Sequence, residues 1–366
     1  MHNANILNKT FRLPLRYYSS VQQPTTLSRA TSSSTSYICI SHPIYLEDIN
    51  HWRLGEKTSF RILEMELDYH PELRDLTIRR PQLKLLEDVP LPDWVVDNWE
   101  TVKNFQAKPD DLLIATYPKS GTTWMQEIVD LINQNGDVKM CKRAPIYERI
   151  PLLEIFQDKG PSGIELIVKM ASPRVIKTHL PIQLVPKSFW EQDCKTIVVA
   201  RNAKDNLVSY FHFLRMDNTM PEPGDWPEFF QKFLHGQVSF GPWYDHVKGW
   251  WEAKNKHRIL FLFYEDIKEN PRREILKVAE FMEKVLEEDV IEKIVHLSSF
   301  KVMKDNPMAN YTTIPKHIMN QNISRFMRKG EVGDWKNHFT VSQNEDFDEH
   351  YERQMGYSSL KFRNVL

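Results

Sequence analysis

From residue 110 onward, apolar positions follow two spacings that take turns along the chain. Short apolar runs at 112–115, 175–178, 196–200 and 259–264 read as strands. Elsewhere apolar residues recur every three or four positions, which predicts helices over 124–134, 206–216, 226–235, 244–254, 271–284 and 288–296. Short apolar strands that alternate with helices belong to a mostly parallel sheet covered on both faces. The expected class is therefore α/β, a single domain with a central sheet flanked by helices. Ligands on such sheets bind outside the carboxyl ends of the strands, so the loops that follow the strands are the places to look for chemistry.

The first of these loops is the most informative. Residues 112–124 read LLIATYPKSGTTW, a strand running into Lys119, Ser120, Gly121, Thr122 and Thr123. A helix follows, with Met125, Ile128, Val129 and Ile132 on one face. Thr123 with Gln126 three positions on fits a capping box, which would start the helix there. A glycine-containing loop that leads into a helix N-terminus offers backbone N–H groups and a positive dipole end to an anion. Lys119 adds a movable positive charge. The loop reads as a phosphate cradle, although the lysine precedes the glycine and the G-x-x-x-x-G-K-[ST] spacing is absent.

Composition narrows the class of ligand and partner. The chain has 366 residues, 41% hydrophobic and 27% charged, as in ordinary globular proteins. A net charge of −1 argues against a nucleic-acid surface, so an anion site must concentrate its charge locally. Three cysteines, Cys39, Cys141 and Cys194, make no disulfide framework and fit a reducing, cytoplasmic setting. No apolar run reaches the roughly 18 residues of a membrane span. Residues 1–46 carry Lys9, Arg12, Arg16 and Arg29 and no acidic residue, with SSSTS at 32–36. That start has the composition of a mitochondrial transit peptide, but a disordered tail or an alternative start also fits. The expectation is a disordered extension over 1–64 and one domain over 65–366.

The block Tyr117-Pro-Lys-Ser-Gly-Thr-Thr-Trp124 resembles the sulfonate-donor loop of the cytosolic sulfotransferases, of the phenol/aryl type. Three further blocks agree. They are Arg174-Val-Ile-Lys-Thr-His-Leu-Pro181, Ala200-Arg-Asn-Ala-Lys-Asp205 with Asn206-Leu-Val-Ser-Tyr210, and Ser324-Arg-Phe-Met-Arg-Lys-Gly330 leading into Gly333-Asp-Trp-Lys336. The similarity runs from near Asp88 to the C-terminus, more weakly from about Met65. It implies a P-loop-like nucleotide-binding fold, 3′-phosphoadenosine 5′-phosphosulfate as donor, no metal, and in-line displacement at sulfur.

The resemblance also implies roles. His179 would be the general base, Lys119 would stabilise charge on the bridging oxygen, and Lys177 would balance the sulfonate oxygens. Arg201 and Ser209 would hold the 3′-phosphate, with Ser209 restraining Lys119 until an acceptor binds. Lys119, Ser120, Gly121, Thr122 and Thr123 would cradle the 5′ end, and Phe326, Met327, Arg328, Lys329 and Gly330 would wrap the 3′ end. Trp124, Tyr264, Phe300 and Ser298 would flank the adenine. Arg325 replaces a family proline, which leaves the entry geometry of that loop open. Leu152, Ile155 and Met220 stand where phenol-selective relatives carry Phe, Phe and His, implying a softer pocket for a small-molecule acceptor. That acceptor could be a phenol, steroid, iodothyronine, arylamine or hydroxylated xenobiotic. The pattern Lys336-x-x-x-Thr340-Val341-x-x-x-Glu345 resembles the family's dimerisation segment, implying a homodimer.

Residue chemistry stands beside the resemblance. A neutral His suits proton removal from an O–H near pH 7, and a guanidinium fork with a hydroxyl suits a phosphate. Lys119, Arg201, Arg328 and Lys329 supply four positive charges, against roughly four negative ones on such a donor. Each aromatic taken singly is an ordinary core residue, and Trp250-Trp251 reads as core packing. Two rival readings are an ATP-dependent small-molecule kinase and an inactive nucleotide-binding scaffold. The first calls for Gly-Lys-[Ser/Thr] spacing and a magnesium-binding Asp, the second for loss of His179 or Lys119.

Overall fold

The four expected strands form one sheet, all parallel, in the order Val175–Thr178, Leu112–Thr116, Lys195–Ala200, Ile259–Phe263. In the computed structural model, which describes residues 79–157 and 160–366, β3 is Leu112–Thr116, β4 Val175–Thr178, β5 Lys195–Ala200 and β6 Ile259–Phe263. The expected extension over 1–64 and the domain start at Met65 lie outside the described residues. Ahead of the sheet, β1 (Leu83–Leu86) and β2 (Val89–Pro92) form an antiparallel hairpin that the apolar pattern did not single out.

Alternation along each strand sends side chains to two separate cores. Leu113, Ala115, Val198 and Ala200 enter one. Leu112, Ile114, Ile197 and Val199 enter the other. That is why the strands read as continuous apolar runs: both faces are covered. The principal helices are α1 (Thr122–Asn133), α2 (Ala203–Met216), α3 (Trp226–Leu234), α4 (Trp243–Ala253), α5 (Pro271–Phe281), α6 (Glu288–Leu297) and α7 (Val341–Met355). Trp250, on α4, is fully buried in the first core, and Trp251 packs partly buried against it.

The helix after the lysine loop departs from the expected start. α1 begins at Thr122 with Gly121 as N-cap at φ 104°, and no side chain caps it. The capping box fails because Gln126 Nε2 donates to the Ile150 carbonyl at 2.9 Å instead. Gly121 is needed there for a second reason: a Cβ would lie 2.9 Å from the Tyr264 ring. The first-turn amides of α1 thus remain available to an anion.

Register aligns the strand ends. Ala115 pairs with Thr178, Thr116 with Val199 and Ala200 with Phe263. The residues that follow, Tyr117, His179, Arg201 and Tyr264, therefore leave the sheet along one edge. Ile197 on a central strand is fully buried, so Ile197→Ala should cost about 2–5 kcal/mol through lost contacts and an unfilled cavity. Urea unfolding would read this as a lower midpoint at unchanged m. An unchanged midpoint would show that the sheet centre does not carry the stability assigned to it.

Candidate functional site

One cleft of about 1030 Å³ opens along the carboxyl edge of the sheet. Lys119, Gly121, Thr122, Thr123, Trp124, Lys177, His179, Arg201, Ser209, Tyr264, Ser298, Phe300 and the run 326–330 all line it, as do Leu152, Ile155 and Met220. Of the expected site residues, Ser120 alone is not on its wall. It is fully buried, and its hydroxyl accepts from Asn206 Nδ2 at 3.0 Å, pinning the loop to α2.

His179 is clamped at the backbone and oriented at the ring. Its N–H donates to Glu154 Oε1 at 2.6 Å and its carbonyl lies 3.1 Å from His246 Nε2. The segment carrying Glu154 lies along β4, with Leu153 N donating to Lys177 O and Lys177 N to Pro151 O. This places Leu152 and Ile155 on the cleft wall and Glu154 beneath the histidine. The ring nitrogen Nδ1 lies 2.9 Å from the Thr116 carbonyl. A carbonyl can only accept, so Nδ1 carries the proton and Nε2 keeps its lone pair. Burial lowers the His179 pKa from 6.5 to about 3, with Lys177, His246 and Lys119 acting in the same direction and the Thr116 carbonyl opposing. The imidazole is therefore neutral around pH 7.

Positive charge collects around this imidazole. Lys119 holds a left-handed backbone at φ 68°, uncommon for a side-chain-bearing residue and typical of functional turns. Its ammonium sits 3.9 Å from the Phe326 ring centre and 4.6 Å from that of Phe213. Burial first, then Arg201, Arg328 and Lys177, lower its pKa from 10.5 to about 7, against the pull of Asp217. The expected restraint of Lys119 by Ser209 is not formed here. Among the described residues no hydrogen bond joins the two, because the ammonium turns to the aromatic pair. Lys177 Nζ donates to Tyr311 Oη at 3.1 Å, and the Tyr311 ring packs tilted at 30° against Phe326, with ring centres 4.1 Å apart.

The other end of the cleft has the marks of a nucleotide site. Trp124 and Tyr264 meet edge to face at 5.4 Å, and the Arg201 guanidinium lies 4.4 Å over Tyr264. Trp124 Nε1, Arg201 Nε, Ser298 Oγ and Arg328 Nε are buried without a partner. Four such orphans around one cavity fit a polar ligand, since unpaired buried donors are costly. Gly330 has φ 67°, and a Cβ there would lie 2.3 Å from Phe300, so the loop passes directly against that ring. Arg328 and Lys329 are not free charges. Both pair with Asp334, at 2.6 Å and 2.5 Å. Asp205 in turn accepts from the amides of Gly333 and Trp335 at 2.8 and 3.0 Å.

Sequence reasoning missed the supports. Glu154, Thr116, Tyr311 and Asp217 carry no local signal, because their partners are distant in the chain. Asp334 stood inside the Gly-Asp-Trp-Lys block, and its acid beside two cations was a readable sign.

Comparison with known proteins fits this geometry. Residues 109–359 match the sulfotransferase domain. Sulfotransferase 1C2 of Homo sapiens is 58% identical over 281 residues, spanning 77% of this chain and 95% of its own. Sulfotransferase 1 family member D1 of Mus musculus is 55% identical over 291 residues, 80% of this chain and 99% of its own. Among solved structures, a mouse sulfotransferase complexed with PAP, the desulfated nucleotide, superposes with TM-score 0.63 at 31% identity, over 75% of this chain and 95% of that one. Retinol dehydratase, at TM-score 0.70 and 24% identity over 76% of this chain and 90% of its own, shares the fold. The lysine loop, the histidine after β4 and the wrapped C-terminal loop thus sit in a domain shared, at more than half identity, with whole relatives: this chain belongs to the cytosolic sulfotransferase family and is a sulfotransferase that uses 3′-phosphoadenosine 5′-phosphosulfate.

Proposed function

We propose that His179 is the general base of this sulfotransferase and that the cleft holds the nucleotide at its Arg201 end and a small acceptor at its Leu152, Ile155 and Met220 end. The observation that carries the reading is the Nδ1 contact to the Thr116 carbonyl. It leaves the basic nitrogen of a neutral imidazole for the acceptor hydroxyl or amine. When bound, the donor would supply a sulfonate group to the acceptor oxygen or nitrogen by in-line displacement, the bond from sulfur to the bridging oxygen breaking as the new bond forms and PAP departing.

This chain's own residues do the rest. His179 Nε2 takes the acceptor proton as the oxygen becomes nucleophilic. Lys119 and Lys177 bring preorganised positive charge to the reacting end, where the low dielectric strengthens it. The α1 amides with Thr122 and Thr123 bind the 5′ end. Arg201, Ser209 and the 328–330 loop bind the 3′-phosphate, and the orphaned Arg201 and Arg328 Nε atoms support that assignment. Trp124, Tyr264, Phe300 and Ser298 hold the base. No metal is required, because lysine and arginine supply the charge. The apolar wall favours a phenol, steroid or hydroxylated xenobiotic, in keeping with a cytoplasmic enzyme of xenobiotic metabolism. The enzyme pairs with a second copy through 336–345, a reading supported by Val341, which is 77% exposed at the start of α7.

His179→Ala should lower turnover by roughly 10²–10⁴ at saturating donor and leave PAP affinity nearly unchanged. Arg201→Ala should first weaken PAP binding, as a charge-assisted phosphate contact is lost. A His179→Ala enzyme with near wild-type turnover would sink the base assignment.

Lys119 gives a pH signature. Its pKa of about 7 is depressed by neighbouring cations as well as burial, so a bound anion must raise it. Binding of PAP at pH 8 should therefore take up protons, and affinity should fall as pH climbs past 7. Below that pH the lysine is already charged and the uptake fades. Calorimetry in buffers of different ionisation enthalpy measures this, with Lys119→Met as the control. Equal uptake in both proteins would remove Lys119 from the titration.

Val341→Glu should yield a monomer in analytical ultracentrifugation with turnover retained. A wild-type chain that sediments as a monomer across micromolar concentrations would discard the dimer.

A further inference from the structure

The outer wall of the cleft is built from two stretches far apart in sequence. Arg79, Arg80 and Pro81 line it from ahead of β1, and Asp217, Thr219 and Met220 line it from the loop after α2. Residues 79–81 also lie ahead of the matched domain, which starts at 109.

Arg80 joins the two stretches. Nη1 donates to the carbonyls of Leu214, Asp217 and Met220 at 2.8, 3.1 and 3.1 Å. Nη2 donates to the Arg215 carbonyl at 3.3 Å and to Asn218 Oδ1 at 3.1 Å. Nε lies 2.8 Å from a Glu222 carboxylate oxygen. Leu214 and Arg215 belong to the last turn of α2, where carbonyls lack an intrahelical partner. A single planar fork therefore caps the helix and gathers the loop behind it, which an ammonium could not do.

The loop is held from the other side as well. Asn218 N donates to Ile318 O at 2.8 Å and Asn320 N to Met216 O at 2.7 Å. Inside it, Asp217 Oδ1 accepts from the amide and hydroxyl of Thr219. Trp94 Nε1 adds a bond to the Thr219 carbonyl at 3.2 Å from the hairpin side. The position of the Met220 loop thus depends on a contact from a stretch more than 130 positions earlier in the chain.

We infer that residues 79–81 form a strap across the acceptor end of the cleft, and that Arg80 is the positioning residue that sets the shape of the acceptor wall and hence acceptor selectivity. This rests on the assignment of the Leu152, Ile155 and Met220 end to the acceptor. Arg80 touches neither the reacting groups nor the nucleotide end, so its loss acts on acceptor binding.

The test uses the full chain with Arg80→Ala and Arg80→Lys, 4-nitrophenol as acceptor, PAP affinity by calorimetry, and hydrogen exchange at the 218–222 amides. Both variants should raise the acceptor KM by about tenfold, the scale of lost hydrogen bonds to a charged group. PAP affinity and kcat should stay within about twofold, and exchange at 218–222 should accelerate. An unchanged KM in a protein that still binds PAP overturns the inference, as does full rescue by lysine or a parallel loss of PAP affinity. Should the wild type bind PAP but leave 4-nitrophenol untouched, a hydroxysteroid takes its place; if neither is sulfated, the acceptor assignment fails and the exchange rates alone decide the strap: unchanged rates discard it. Should Arg80→Ala not fold, Trp94→Phe removes one bond to the same loop and must raise KM in the same direction, with no change counting against the strap.

Discussion

Gathering cations of one sign in a single low-dielectric cleft is the constraint around which the rest of this structure is arranged. Lys119 shows the cost directly: burial and its neighbours Arg201, Arg328 and Lys177 pull its pKa down to about 7. Charges held this way need internal counter-ions or a ligand. Asp334 answers for Arg328 and Lys329. Asp205, at the start of α2, draws the following backbone down onto the strand edge through Gly333 and Trp335. These two acids fold the C-terminal loop over the site. They leave Arg201 Nε and Arg328 Nε without partners, so the compensation stops short of what a bound anion completes.

The sheet fixes where those charges stand. Parallel strands lie about 4.8 Å apart, and the register brings four strand ends to one edge. Consecutive exits then put a loop lysine, a histidine, an arginine and a tyrosine side by side without any long flexible connection. Precision at His179 comes from neighbours, because both its backbone polar groups are spoken for. Its ring needs only one more contact, to the strand beside it, to select the tautomer. A histidine on a freer loop would lose that selection.

Strands and helices were legible because burial on both sheet faces and one helix face imposes a period on the sequence. The four strands fall within about one residue of the pattern, the uncertainty usual at element ends. The hairpin was not legible: its turn is Glu87-Asp88, both at positive φ, 47° and 63°, where Asn-Gly would be the readable pair. The α1 capping box was misread because tertiary demand outranked a local rule. Gly121 had to pass under Tyr264, and Gln126 was claimed by Ile150. Ser120 reads as part of the cradle by position alone, yet its hydroxyl serves the packing of loop on helix.

The two ends of the cleft differ in how they are encoded. The end lined by 119–124, Arg201 and 326–330 is made of contiguous blocks, so a run of a few residues carries each part of it. The opposite wall is assembled from single residues of segments near 80, 94, 155, 220 and 315, which meet only after folding. Its shape is set by long-range contacts such as those of Arg80, more than 130 positions from the carbonyls it binds. One wall residue or one contact of Arg80 can therefore change while the contiguous blocks stay untouched. Nucleotide chemistry is readable from this chain because it is local, and acceptor choice is not, because it is a property of the assembled wall.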